Sequence, residues 1–285
     1  MTSMTQASPG GQSKLTVRKP KFDFSNGAPR HWLKNSGLLT HVMNSLSLMF
    51  PEGERFFIRS VNRFSDKIKT AEMQQSLKKF AGQETQHGQQ HDKFNALLRQ
   101  HGYEYEAYVA EMENFIFKKF EPFMTEKVWD KLGLSITAAA EHMTATWAAH
   151  FLKNRDAFAQ TPDEIKNLWL WHAMEEIEHK DFAFDVLAEV DDSYLTRIAG
   201  LLFIAVGVPV IIGMIATRFI SQDKTMTRAD LIRDLPKLFI TKDSLGRMFV
   251  ASCVQYLDPK FHPRNNDDNY LLEEYFAQQE PLRAT

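Results

Sequence analysis

Two short stretches place ionisable side chains where a helix should be building its core. Residues 171–179 read WHAMEEIEH, and residues 83–91 read QETQHGQQH. At about 100° per residue, His172, Glu176 and His179 share one helical face, within roughly 60° of one another, as do Glu84, His87 and His91. Ala183 and Val186 continue the first face, so it points inward. Glu175 lies at its edge and Glu178 projects elsewhere. A buried carboxylate between two imidazoles is costly unless something compensates it. A metal ion is the usual compensator, because neutral His and ionised Glu are its ligands. Taken alone, the stretch also reads as a solvated helix face with chance His and Glu.

The spacing along the chain favours the metal. Glu-x-x-His puts two ligands one turn apart, and it occurs twice, at Glu84/His87 and Glu176/His179. Each pair is preceded by a helix with an inward glutamate: Glu54 in PEGERFF and Glu141 in AAAEHMT. The interval from Glu84 to Glu141 leaves room for a crossover helix. This order resembles the ferritin-like dimetal carboxylate proteins, in which two helices give one Glu each and two others give Glu-x-x-His. Two nearby divalent ions repel, and about four carboxylates neutralise them. The expected ligands are Glu54, Glu84, His87, Glu141, Glu176 and His179. His172 is a third imidazole or a hydrogen-bonding neighbour of the site, and His91 is a further candidate. Phe57 and Ile58 mark the Glu54 side as core-facing, in preference to Glu52. His142 points off the face of Glu141. His41 and His150 read as ordinary helix histidines, His262 as a loop anchor, and Trp147, Trp169 and Trp171 as core. Without metal, a buried polar network would have to satisfy every carboxylate by hydrogen bonds alone.

Composition narrows the partners. The chain has 285 residues, a net charge of −2, 44% hydrophobic and 25% charged residues. That is ordinary for a soluble globular protein. No basic patch interleaved with aromatics is present, which argues against nucleic acid. The single Cys253 rules out an intramolecular disulfide and a cysteine-based zinc site. Residues 1–20 lack the apolar core of a secretory signal and read as a disordered arm, with a transit peptide as the lesser alternative. A cytoplasmic setting is expected.

The elements that must position the ligands are all helical. Helices are expected at about 38–48, 51–67, 71–101, 104–121, 125–155 and 162–190. Pro51 suits a first helical turn, Gly102 a stop, and Thr161-Pro162-Asp163-Glu164 a capped start. The expected organisation is an irregular arm over 1–37, a ferritin-like four-helix bundle over 38–190, and a C-terminal helical extension over 191–285. Short amphipathic segments are expected near 227–239 and 243–257, followed by a turn-rich PKFHPRNNDD.

Residues 198–217, IAGLLFIAVGVPVIIGMIAT, carry no charge and are long enough to cross a bilayer core. Acidic residues precede them and basic ones follow. With the bundle in the cytoplasm, a simple span would run against the positive-inside rule. A re-entrant or interfacial pair broken near Pro209 avoids that conflict, as does a buried or oligomer-facing helix. Association with the inner membrane through 198–217, and a homodimer, are left open.

FPEGERFF (50–57), GQETQHGQQHDKFN (82–95), AAEHMTA (139–145), WHAMEEIEHKDFAFDV (171–186) and FHP (261–263) together resemble the bacterial family of predicted metal-dependent hydrolases, over roughly 40–265. His172-xxx-Glu176-xx-His179 is also similar to the last metal helix of the dinuclear iron N-oxygenases. By that likeness His172 is an extra ligand to one iron, whereas His91 has no counterpart.

Three functions follow as expectations. The leading one is a non-haem di-iron oxidase or oxygenase with two iron ions, dioxygen, an electron donor and a small lipophilic substrate. The alternative is a hydrolase using metal-activated water, working with zinc or manganese, with Glu175 or His91 as base. The third is a non-enzymatic metal-binding protein.

Overall fold

The computed structural model describes residues 15–283. Among them every regular element is helical, as expected. The disordered arm expected over 1–20 falls mostly on residues outside the described ones. Residues 15–35 run as extended chain and turns, and bury Leu15, Phe24, Trp32 and Leu33 against the helices.

Four helices carry the candidate ligands: α1 (Gly37–Asn62), α2 (Ala71–Gln100), α4 (Leu132–Lys153) and α5 (Asp163–His179). α1 packs on α2 and α4, and α5 packs on α4 and α2, so the four enclose one core. The crossover from α2 to α4 runs through α3 (Glu106–Phe115) and two wider π-helical stretches, Ile116–Phe120 and Phe123–Val128. Trp129, in extended conformation, closes that segment. The helix expected from 125 therefore begins at Leu132.

The helices expected at 38–48 and 51–67 are one helix. Pro51 sits inside α1, not at its start. Proline lacks an N–H and leaves the carbonyl four residues back unpaired. That carbonyl belongs to Ser47, and Asn95 Nδ2 of α2 donates to it at 3.2 Å. The neighbouring helix thus supplies the bond that Pro51 removes. Gly88 makes the approach possible, since a Cβ there would lie 3.3 Å from Pro51 Cα.

The segment expected as one helix over 162–190 is divided at Lys180–Asp181 into α5 and α6 (Phe182–Val190). There Lys180 Nζ donates to Asn266 O at 2.7 Å and Arg264 bonds Asp181 at 3.2 Å. Thr161 does not cap α5; its hydroxyl donates to Trp32 O. Gly102, at φ +79°, does follow the end of α2.

α7 (Tyr194–Gln222) continues unbroken through Pro209 and lies along α4 and α1. Ser135 Oγ of α4 donates to Thr196 O and accepts from Gly200 N–H. A Cβ at residue 200 would meet Ser135 O at 2.2 Å. The break near Pro209 that a re-entrant pair would need is absent. α7 is not a buried core helix either: only 22% of its apolar window is buried. α8 (Arg228–Phe239) and α9 (Leu245–Tyr256) match the two amphipathic segments, and α10 (Tyr270–Arg283) completes the chain described.

Candidate metal centre

The inward faces of the four helices converge. Glu54 comes from α1, Glu84 and His87 from α2, Glu141 from α4, and His172, Glu176 and His179 from α5. All seven are buried. Their ligand atoms form overlapping sets, each within 4.8 Å: Glu54, His87, His172 and Glu176; Glu84, His87 and His179; Glu141, Glu176 and His179. Glu84 lies between two histidines, with Oε2 3.4 Å from His87 Nδ1 and Oε1 3.4 Å from His179 Nε2. Glu176 Oε1 is 2.8 Å from His172 Nε2, 3.8 Å from His87 Nδ1 and 3.9 Å from His179 Nε2.

What distinguishes the cluster is its unmet valence. Buried polar groups are nearly always hydrogen-bonded. Here both oxygens of Glu54, both of Glu84, Glu141 Oε1, His87 Nδ1 and His179 Nε2 have no hydrogen-bond partner. These are seven of sixteen such side-chain atoms among the described residues, and they face one small volume. Two of the four carboxylates resist ionising there; against burial, His179 and neighbouring side chains hold Glu84 down at about 2 and Glu176 below its ordinary range. Burial, then the neighbouring Glu84, Glu176 and Glu141, pushes the Glu54 carboxyl well above its ordinary range. Burial also lifts Glu141 to about 8, against the pull of His179. His179 is pushed the other way: burial disfavours its charge, but Glu141, Glu84 and Glu176 hold its proton more tightly than usual. A cation placed among these atoms would meet all of them at once.

The imidazoles are oriented from behind. His87 Nε2 faces Glu175 Oε2 at 3.1 Å, which leaves Nδ1 for the centre. Glu175 is itself held by Trp171 Nε1 and by Arg18 Nη1, each at 3.1 Å. Arg18 also binds Glu178, at 2.7 Å and 2.9 Å. A carboxylate on the far nitrogen of a ligating histidine fixes its tautomer and makes it more basic. Glu175 is therefore turned away from the centre, where the base expected of it would have to act.

His91 stands behind His172 in the same way. Asn95 Nδ2 donates to Ser47 O, so Asn95 Oδ1 accepts from the Ser47 hydroxyl at 2.6 Å. Having given its proton, Ser47 Oγ must accept from His91 Nδ1 at 2.8 Å. His91 Nε2 is then bare and accepts from His172 Nδ1–H at 2.9 Å. The end of the chain is His172 Nε2, unprotonated, facing Glu176 Oε1. Two lone pairs that close need either a proton or a metal ion between them. Burial holds His91 well below its usual range, so it stays neutral in this role. His91 lies outside all the sets above, whereas His172 lies inside one. Phe50 packs on both rings, with centroids 4.6 Å from each.

The sequence brought forward all seven clustered residues, and Glu175 and His91 in other roles, but not the remaining groups behind them. Ser47 carried one legible signal, its place four residues before a helical proline. Arg18 carried none, because only the fold brings the arm to Glu175. Thr144, whose hydroxyl bonds Glu176, was also unmarked. The loop histidine His262 bonds Asp185 at 2.9 Å and the Arg264 backbone at 3.1 Å, away from the centre.

A family model described as "Predicted metal-dependent hydrolase" matches residues 16–267. The chain belongs to this family. The match takes in all four helices that carry the candidate ligands, α7 to α9 and the FHP turn. No curated protein and no solved structure matches the chain.

Proposed function

We propose that the chain is an enzyme working through a dinuclear metal centre on a small-molecule substrate, and that its reaction is hydrolysis. The convergence of seven unpartnered, buried donor atoms carries the metal assignment. Family membership favours hydrolysis over the oxidative reading. His87, His172 and Glu54 would hold one ion, and His179 and Glu141 the other. Glu84 and Glu176, each within reach of both histidine groups, would be shared. Four carboxylates balance two divalent cations, and imidazole with carboxylate suits zinc, manganese or iron. Bound there, the metal would act as Lewis acid and lower the pKa of a water molecule.

The protein's own residues set the stage for that chemistry. Glu175 and the Ser47–Asn95 pair hold the ring nitrogens of His87 and His172 in ligating form. Phe50, Phe80, Trp169 and Trp171 pack around the histidines and keep bulk water from their edges. Thr144 orients Glu176 from the side away from His172.

A second reading, a di-iron oxidase or oxygenase, draws on the donor set. Three imidazoles and four carboxylates from four helices is the ligand composition of dimetal carboxylate proteins that use iron, with one added histidine. The two readings separate in one assay. Metal-loaded protein would be tested on chromogenic ester, amide and phosphoester substrates under nitrogen, and separately for oxygen uptake with a reductant. Hydrolysis under nitrogen, lost in His179→Ala, supports the proposal. Oxygen uptake with no hydrolysis replaces it with the second reading.

A further inference from the structure

The outward surface divides sharply. Twelve of the eighteen large apolar side chains that stand exposed among the described residues lie between Leu195 and Leu257, and none lies on α1, α2, α4 or α5. On α7, Leu202, Val206, Val210 and Met214 form an i, i+4 row along the side that does not touch the bundle. A surface helix ordinarily puts polar residues there.

α8 is apolar on two sides, with Leu231 and Leu238 against the core. It turns Asp234 inward, where Ser36 Oγ donates to it at 2.6 Å, and exposes Ile232, Leu235 and Phe239. α9, packed against α8, exposes Val250 and Val254.

Cations are interleaved with these residues. From 218 to 247 there are seven Lys and Arg against four Asp, and Asp223 and Asp234 are buried. Arg233 and Lys237 pair with Asp234. Arg218, Lys224, Arg228, Lys242 and Arg247 are all exposed, and none forms an ion pair with a described residue. A second copy of the chain meeting this surface would have to desolvate unpaired cations at an apolar contact. An anionic lipid surface satisfies both halves, taking apolar side chains into the acyl boundary and cations among phosphates.

We propose that α7, α8 and α9 dock the protein onto an anionic membrane surface, lying on it and not crossing it, with Ile232, Phe239, Ile240 and Val250 entering the lipid and Arg218, Arg228, Lys242 and Arg247 meeting headgroups. A crossing by α7 is disfavoured because one of its sides is committed to α1 and α4. This docking does not depend on which reaction the centre performs.

The test is flotation of the full chain with vesicles. One set is phosphatidylcholine alone, and the other contains about a third phosphatidylserine. Binding should be at least about tenfold stronger to the anionic vesicles and should fall as salt is raised. The double substitution Phe239→Ser, Ile240→Ser should reduce it by about tenfold, with helicity unchanged by circular dichroism. If that variant fails to fold, the lipid and salt dependence of the unaltered chain still decides. No binding to either vesicle overturns the proposal. So does a concentration-dependent dimer in solution that the same substitutions abolish, which would assign the surface to a second copy.

Discussion

The molecule holds two clusters of histidine and carboxylate, and they are built on opposite plans. In the centre, donors face one another with their lone pairs unmet. At the C-terminal end of α7, Asp223 is met from every side. Its Oδ2 receives His31 Nε2 at 2.7 Å, His41 Nε2 at 2.8 Å and Tyr103 OH at 3.2 Å. Its Oδ1 receives the Thr225 N–H at 2.9 Å and the Thr225 hydroxyl at 2.6 Å. By distance alone the three residues His31, His41 and Asp223 also qualify as a metal-sized set. Their hydrogen bonding says otherwise: five donors satisfy the carboxylate, and His41 Nδ1 is left over, with no carboxylate behind it of the kind that supports His87. Residue type and proximity mark both clusters; unmet carboxylate oxygens mark only the central one. Asp223 joins the arm, α1, the start of the crossover and α7, so its work is structural.

Substitution should separate the two most strongly in metal content. His87→Ala and His179→Ala should each lose about one metal equivalent per chain by elemental analysis, since neutral imidazole is a principal ligand. Asp223→Ala should lose none. An Asp223→Ala protein that loses metal, or a His179→Ala protein that keeps it all, would erase the distinction.

Stability should show the reverse order. Asp223→Ala strands the His31, His41 and Tyr103 donors, at a cost of ~3 kcal/mol. For a chain of this size that lowers the melting temperature by roughly 5 °C. Among the central residues, Glu54→Gln removes a charge that burial and neighbouring carboxylates oppose. In metal-free protein it should raise the melting temperature, and a fall would contradict the crowding described above.

The tautomer chain predicts a subtler loss. Ser47→Ala leaves every ligand in place but frees His91 to turn its proton toward His172. Metal affinity should fall by about 10- to 100-fold, with unchanged stoichiometry at saturation. Unchanged affinity would mean that His91 only fills space.

The smallest effect concerns pH. Burial holds His41 down at about 4, against its bond to Asp223. An ordinary histidine, as in the unfolded chain, titrates near 6.5. Between these values the unfolded chain binds more protons than the folded one, so stability is present above pH 6.5 and is lost as pH falls toward 4. Asp223 adds to the loss further down: burial would raise its pKa, but bonds from Thr225, His31 and His41 hold it below the usual carboxylate range. The melting temperature of metal-free protein should therefore fall more steeply over this interval than that of His41→Phe. Equal slopes would remove His41 from the account.

The legibility of the two clusters differs for a physical reason. The central residues repeat within helices at one-turn spacing, and a helix turns such spacing into proximity. The Glu-x-x-His pairs could therefore be read directly, and the small residues around Glu141 supported it. The peripheral cluster draws His31 from the arm, His41 from α1 and Asp223 from beyond α7, and no local period connects them. His41 looked ordinary in sequence for that reason. The helical class and the amphipathic α8 and α9 were likewise set by period. The passage of α1 through Pro51 was not, because the bond replacing the lost one comes from Asn95 on another helix. Nor did the charge-free run 198–217 disclose its environment, since apolarity all round a helix says what it avoids and not which side the fold covers.

The most direct test is the metal content of the unaltered full-length protein, purified from metal-replete medium and measured per chain. Two divalent ions per chain are predicted, falling to about one in His179→Ala. Protein that stays metal-free after incubation with iron, manganese and zinc, while folded by circular dichroism, would contradict the account at its centre.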